Sequence, residues 1–293
     1  MHFVNAKTIL GAYGINIYRG CSHGCIYCDS RSSCYQFTHA FEDIEVKQNA
    51  PQLLEEALRK KRKRCMIGTG SMCDPYIPAE KKLCLTRRCL EVIDRHNFGA
   101  SVITKSDLVL RDIELLERIN RKTKAVVQMT LTTSDEDLCR IIEPGVCTTR
   151  RRFEVLCALK EAGIPSVVWF SPLLPFINDT EENIDGIMDY CIRAKVKAVI
   201  CFGIGLTLRQ GNREYFYSEL DQHFPSRDGK LSMKQRYINT FGDSYIVSSP
   251  NEQKHMKRIK DVCQKNGIMF GTENVFNWIK EFPEKDPMQP ELF

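Results

Sequence analysis

No stretch of this 293-residue chain approaches the roughly 18 consecutive apolar residues that a bilayer-spanning helix needs, so no membrane segment is expected. Its opening residues, Met1-His2-Phe3-Val4-Asn5-Ala6-Lys7, lack the basic-then-apolar order of a secretory signal. These two absences together predict a cytoplasmic protein. A dominant charge is missing as well. The 42 Lys and Arg against 37 Asp and Glu leave a formal +5, which permits a polyanionic substrate without demanding one. There is no internal repeat and no low-complexity segment, which argues against a repeat array or a disordered tract.

Cysteine, by contrast, is abundant, with fourteen in the chain. In a reducing compartment clustered thiols bind metal or do redox chemistry rather than build a disulfide scaffold. The length fits one large α/β domain or two ordinary ones.

Six apolar, β-rich runs, 15–18, 65–69, 100–104, 125–131, 166–171 and 198–203, alternate with amphipathic helical stretches. The helix expected over 51–63 puts Leu53, Leu54, Ala57 and Leu58 on one face, and that over 79–96 carries Leu83, Leu85, Cys89, Leu90 and Ile93. Asp107 reads as the cap of a third helix, a fourth over 150–162 stops at Gly163, and a fifth spans 181–194. Six strand–helix units in succession predict a parallel sheet with right-handed crossovers, an open barrel or a doubly wound sheet. Beyond about Thr207 the alternation fails. Residues 1–207 are therefore read as the α/β part, and 208–293 as a C-terminal extension.

The chemistry sits just after the first strand, in Tyr18-Arg19-Gly20-Cys21-Ser22-His23-Gly24-Cys25-Ile26-Tyr27-Cys28. Three thiolates spaced Cys-x3-Cys-x2-Cys in a short loop can converge on three irons of a cubane and leave the fourth open. A structural zinc would need a fourth ligand, for which His23 and Cys34 are the candidates. Cys84, Cys89, Cys157, Cys191 and Cys263 fall on apolar helical faces, Cys65 and Cys201 in strands, and Cys147 near a loop. No second Cys-x2-Cys pair suggests an auxiliary cluster.

This loop resembles the signature of the radical S-adenosylmethionine (SAM) superfamily. The wider set of motifs resembles the branch containing spore photoproduct lyase: Gly68-Thr69-Gly70-Ser71-Met72-Cys73-Asp74-Pro75-Tyr76, Ile103-Thr104-Lys105-Ser106, Thr130-Leu131-Thr132-Thr133, Ile142-Glu143-Pro144, Arg152 and Ser171-Pro172-Leu173-Leu174-Pro175. The resemblance implies a partial (β/α)6 TIM-type barrel whose open side the extension closes or flanks. It implies a [4Fe–4S] cluster on Cys21, Cys25 and Cys28, SAM on the open iron, and an electron donor such as flavodoxin or ferredoxin. The activity implied is reductive cleavage of SAM to a 5′-deoxyadenosyl radical that abstracts hydrogen from substrate.

Expected SAM contacts follow at the matched positions. Gly68 and Gly70 let backbone approach the methionine moiety, Lys105 and Arg152 pair with its carboxylate, Thr130 donates a hydroxyl hydrogen bond and Glu143 accepts from the ribose. Tyr27 and Ser71 complete the set. Spore photoproduct lyase returns hydrogen from a cysteine three residues before its Asp, a place held here by Ser71. Cys73, next to Asp74, is the nearest thiol, and it reads either as a hydrogen-atom donor or as a buried apolar side chain. The Asp74–Tyr76 loop faces substrate or simply turns the chain. The aromatic segments 215–217 and 241–245 line an entrance or fill a core.

Two features bear on partners. The basic run 59–64 is either a solvated helix end or a phosphate-contacting patch. The tail Gln289-Pro290-Glu291-Leu292-Phe293 resembles the peptide by which bacterial DNA-processing proteins dock in the sliding clamp, with Gln289, Leu292 and Phe293 matching. The leading expectation is a radical SAM enzyme acting on nucleic acid in a repair-like reaction. The alternatives are modification of a peptide or small molecule, and a non-enzymatic zinc protein.

Overall fold

The computed structural model describes residues 1–283 except 13, 227 and 228. At its centre lie six strands in chain order: β1 (Gly14–Ile15), β2 (Met66–Thr69), β3 (Gly99–Thr104), β4 (Ala125–Thr130), β5 (Ser166–Trp169) and β6 (Ala198–Ile200). Each pairs in parallel with its predecessor. Every residue of β4 is buried, and all but Ile103 of β3. Strands covered on both faces need apolar side chains pointing both ways, which is why they read as continuous rather than alternating runs.

Helices cover the outside: α1 (Ala50–Lys60), α2 (Leu85–Arg95), α3 (Ile113–Lys122), α4 (Glu136–Ile142), α5 (Thr149–Glu161) and α6 (Glu181–Arg193). All but α4 follow the apolar spacing that predicted them, with Leu54 and Leu58 of α1 and Cys89, Leu90 and Ile93 of α2 in the core. The architecture is a partial TIM-type barrel, open between its edge strands.

Three local expectations change. The helix expected over 79–96 breaks at Cys84, which has φ 51°. The buried Glu80 carboxylate accepts from the backbone N–H groups of Leu85 and Thr86 at 3.1 and 3.0 Å, capping α2 where the longer helix would have continued. The run 15–18 divides, since Ile15 stays in the main sheet while Tyr18–Arg19 pairs with Glu45–Lys47, which also pairs with His2–Val4. The cap expected at Asp107 is Ser106, whose hydroxyl accepts from Leu108 N at 3.2 Å.

The C-terminal part holds α7 (Asn212–His223), α8 (Met233–Phe241), α9 (Glu252–Lys265) and α10 (Thr272–Lys280). It also adds a seventh parallel strand, β7 (Met269–Phe270), beside β6. Arg258 of α9 bonds Asp185 and Glu181 at 2.6 and 3.0 Å, fastening this region to α6. A pair of strands, Gly205–Thr207 and Ile246–Ser248, runs antiparallel across the 207/208 boundary. Phe216 is fully buried with Tyr237, Leu206 and Val247 in a second core, so of the two readings of segment 215–217 the packing one applies to Phe216.

Because the strands run parallel, their C-terminal ends share one rim, where sites in this architecture form. The basic run 59–64 immediately precedes β2 and lies at the opposite, N-terminal rim. The tail residues Gln289, Leu292 and Phe293 lie outside the described residues. Among the described residues no helix is long and apolar enough to cross a membrane.

Candidate active site

The loop 20–28 lies against this rim, held by backbone contacts that need its glycines. Gly20 has φ +85°, and a side chain there would meet the Phe41 carbonyl oxygen at 2.4 Å. Gly24 has φ +67°. Cys21 N donates to Phe41 O at 3.1 Å, Ile26 N to Ile142 O at 3.0 Å, and Gly145 N to His23 O at 2.8 Å. With Ile26 fully buried between them, the cysteines on either side are fixed toward one space.

That space is a cavity of about 120 Å³. Cys21, Cys25 and Cys28 line it together with Tyr27, Gly70, Ser71, Cys73, Lys105 and Thr130. The barrel thus gathers the ends of β2, β3 and β4 around the three thiols, as the motif positions predict. Gly68 is not among the lining residues. It lies inside β2, where its carbonyl is so close to Gly14 that a side chain on Gly14 would meet it at 2.0 Å. The backbone approach expected of Gly68 is therefore made to Gly14, a contact between neighbouring strands.

The electrostatics are organised from behind. Burial disfavours the Lys105 ammonium, but Cys25, Glu143 and Asp74 outweigh it and hold its pKa above the ordinary lysine value. Lys105 Nζ lies 5.9 Å from the centre of the Tyr27 ring. Burial pushes the Cys25 and Cys28 thiols up, whereas a hydrogen bond with Cys73 leads the influences that bring Cys21 down. Asp74 accepts from Tyr76 N, Thr104 Oγ1 and Lys105 N at 2.8, 2.7 and 2.7 Å and lies 3.6 Å from His23 Nδ1. Asp74 is thus a turn residue that also fixes β3 against the loop. Tyr76, whose hydroxyl donates to Asp112 at 3.0 Å, is 1% exposed and belongs to the core rather than to a substrate surface.

Glu143 and Arg152 meet each other. Arg152 Nη2 donates to Glu143 Oε2 at 2.5 Å, its Nη1 to Thr130 O at 2.9 Å and its Nε to Cys147 O at 2.9 Å. The other Glu143 oxygen accepts from the Tyr27 hydroxyl. Both side chains are wholly buried and neither lines the cavity, so the ribose and carboxylate contacts expected of them give way here to an internal ion pair under Tyr27. Helix α4, which the sequence reading passed over, delivers Glu143, and its signal was Asp135, whose carboxylate accepts from Asp137 N and Leu138 N.

The donor set fits an iron–sulfur cluster. Three thiols from one loop face one cavity with a retained cation beside them, and soft thiolates are the ligands such clusters take. The fourth ligands offered for zinc are placed otherwise. Cys34 is exposed in a turn beside Arg209 at 3.8 Å, and His23 turns Nδ1 toward Asp74.

Similarity to known proteins agrees with this reading. A family model of the radical SAM superfamily matches residues 15–191. Over 248 residues the chain is 29% identical to an uncharacterized protein of Mycobacterium tuberculosis, covering 80% of this chain and 71% of that one. An uncharacterized protein of Methanocaldococcus jannaschii is 35% identical over 181 residues, 61% of this chain and 67% of the other. Spore photoproduct lyase complexed with dinucleoside spore photoproduct superimposes with a TM-score of 0.61 at 14% identity, over 92% of this chain and 82% of that one. A mutant of that lyase with bound AdoMet superimposes at 0.55 and 13%, over 88% and 75%. These structural likenesses are likenesses of fold, but the family match spans more than half of the chain and falls on the cysteine loop and the strands around it. This chain belongs to the radical SAM superfamily, whose members use a [4Fe–4S] cluster and SAM.

Proposed function

We propose that this protein cleaves SAM reductively and directs the resulting radical at a nucleic-acid base presented singly to the rim. When bound, the cluster and SAM supply a 5′-deoxyadenosyl radical that abstracts hydrogen from substrate. Cys21, Cys25 and Cys28 would hold the cluster, Lys105 would neutralise the SAM carboxylate, and Thr130, Gly70 and Ser71 would border the methionine moiety. The observation that carries the substrate reading is a second cavity of about 390 Å³ sharing Tyr27 and Cys28 with the first. It opens between the strand ends and the pair Gly205–Thr207 and Ile246–Ser248, and two of its lining residues, Phe202 and Ile246, are 54% and 67% exposed. An exposed aromatic beside Trp169 (ring centres 5.3 Å apart) is a stacking surface for an unpaired base. The likeness to a lyase solved with a dinucleoside lesion supports the same class.

Cys73 is 7% exposed and in hydrogen-bonding contact with Cys21. Its weak S–H bond at the edge of the cluster cavity suits return of a hydrogen atom to a substrate radical. The placement of run 59–64 on the far rim favours a second reading, modification of a peptide or small molecule, since those cations are not beside the site. Anaerobic reconstitution with iron and sulfide, reduction with dithionite and assay of 5′-deoxyadenosine tests the reaction, and product is expected to accumulate with SAM. Addition of single-stranded oligonucleotides then separates the two substrate readings. Stimulation that fades as salt rises supports nucleic acid, and indifference to oligonucleotide at every salt concentration removes it.

Lys105→Met gives a sharper test of the SAM contact. A hydrogen bond to a charged group contributes about 1.5–3 kcal/mol, so SAM affinity should fall roughly 10- to 100-fold. Equilibrium binding of SAM to cluster-loaded protein measures it. An unchanged affinity at unchanged iron content assigns Lys105 to balancing the thiolates alone.

A further inference from the structure

The small N-terminal sheet brings together two imidazoles and a carboxylate that the radical chemistry does not use. His2 and Glu45 are register partners on adjacent parallel strands, so their side chains leave the same face. His39 reaches them from the loop preceding Glu45, and one ligand atom from each of the three lies within 4.8 Å of the others. The imidazole planes stand at 85° with ring centres 4.8 Å apart. Two imidazoles on one tetrahedral ion, with bonds of about 2.0–2.1 Å, place their ring centres roughly 5 Å apart.

Each ring is also oriented from behind. His39 Nδ1 lies 2.9 Å from the Ala40 carbonyl oxygen, so it carries the proton and donates, leaving a lone pair on Nε2. That Nε2 is buried and has no hydrogen-bond partner among the described residues. His2 Nδ1 lies 3.1 Å from Asp43 Oδ2, which likewise assigns the proton to Nδ1 and leaves Nε2 to coordinate. An edge-on contact with Phe37, 5.6 Å between ring centres, holds the His39 ring. Imidazoles backed by a carbonyl and a carboxylate are the arrangement of metal-ligating histidines.

We propose that His2, His39 and Glu45 bind one divalent cation of the zinc class, with water as the fourth ligand. The ion ties the strand His2–Val4, the loop 37–45 and the strand Glu45–Lys47 into one unit. Phe41 of that loop accepts the Cys21 N–H, so the site braces the segment against which the cluster loop folds.

The experiment uses anaerobically cluster-loaded protein, so that the three cysteines are occupied, stripped of loosely held metal and titrated with Zn²⁺ alone. One zinc per chain beyond the cluster is expected by elemental analysis, with affinity falling at least tenfold in His39→Ala and in Glu45→Gln at unchanged iron and sulfide. Glu45→Gln keeps the side chain's shape and reads the site even where His39→Ala loosens the loop. Asp43→Asn, which leaves the three ligands in place but weakens the support behind His2 together with the pairing of Asp43 to the Met1 ammonium, should weaken binding about 10- to 100-fold. Co²⁺ in place of zinc should give d–d absorption without a sulfur-to-cobalt charge-transfer band. No zinc beyond the cluster, equal binding by the variants, or a thiolate band on cobalt would each overturn the proposal.

Discussion

Replacing Cys25 or Cys28 by Ala should bring 5′-deoxyadenosine formation down to the level of protein-free controls, with iron and sulfide per chain falling alongside. The reason is stoichiometric as well as geometric. Three thiols of one loop would serve three irons, and the loop's position is set by its neighbours, the Ile26 N–H on Ile142 O and the His23 carbonyl under Gly145 N. A remaining pair cannot shift to share the load without breaking those bonds. Cys21→Ala differs in one respect, because Cys73 touches Cys21 and lines the same cavity. That variant should retain part of its iron, and Cys21→Ala/Cys73→Ala should lose it. Cys73→Ala alone should keep the cluster and the cleavage of SAM, and change only the fate of the substrate radical. Full activity in Cys25→Ala would remove the cluster assignment, whereas loss of the cluster in Cys73→Ala would make that thiol a support of the cluster and not a hydrogen donor.

How much of this was legible in the sequence depends on the range of the interaction. The strands were, because a parallel strand buried on both faces writes its state into a short, mostly apolar run without strict alternation, as in Ala125–Thr130, where only Gln128 and Thr130 are polar. The convergence of the three thiols of the cysteine loop on one cavity was too, since they are neighbours in sequence. The gathering of Lys105, Thr130, Gly70 and Cys73 around it followed from one topological fact, that parallel strands end on one rim. Strand β7 was not legible: Met269 and Phe270, two of the three residues between Gly267 and Gly271, carry too little pattern, and only the vacant edge of β6 makes them a strand. Cys84 was not, because the break there is imposed by a buried carboxylate four residues earlier. The partnership of Glu143 with Arg152 was missed because an isolated charge in a sequence gives no sign of its burial. Read singly, each points to the ligand; the structure pairs them with one another.

That pair carries the second large expectation. Arg152→Ala should lower the unfolding free energy by about 3–5 kcal/mol, because it leaves the wholly buried Glu143 carboxylate without its counter-charge. This is a large part of the ~5–15 kcal/mol by which a native protein exceeds its unfolded chain. The loss reaches the site as well, since Glu143 holds the Tyr27 hydroxyl while Ile142, one residue earlier, holds the Ile26 N–H. Iron should consequently leave the variant faster than the native protein on exposure to a chelator. The same pair predicts the acid limb of stability. Burial alone would raise the Glu143 pKa, but Arg152 and then Lys105 outweigh it and hold the carboxyl below its ordinary range. A depressed folded-state value stabilises the protein fully above the unfolded value near ~4.3. That stabilisation is lost as pH falls through the lowered value. Glu143→Gln should therefore flatten this limb, at the cost of an unpaired Arg152 at neutral pH. Denaturant midpoints of the native protein, Arg152→Ala and Glu143→Gln across pH 3–7 measure both effects. A loss below about 1 kcal/mol in Arg152→Ala, the range of exposed ion pairs, would mean that water reaches the pair and that its hold on the cluster loop is weak.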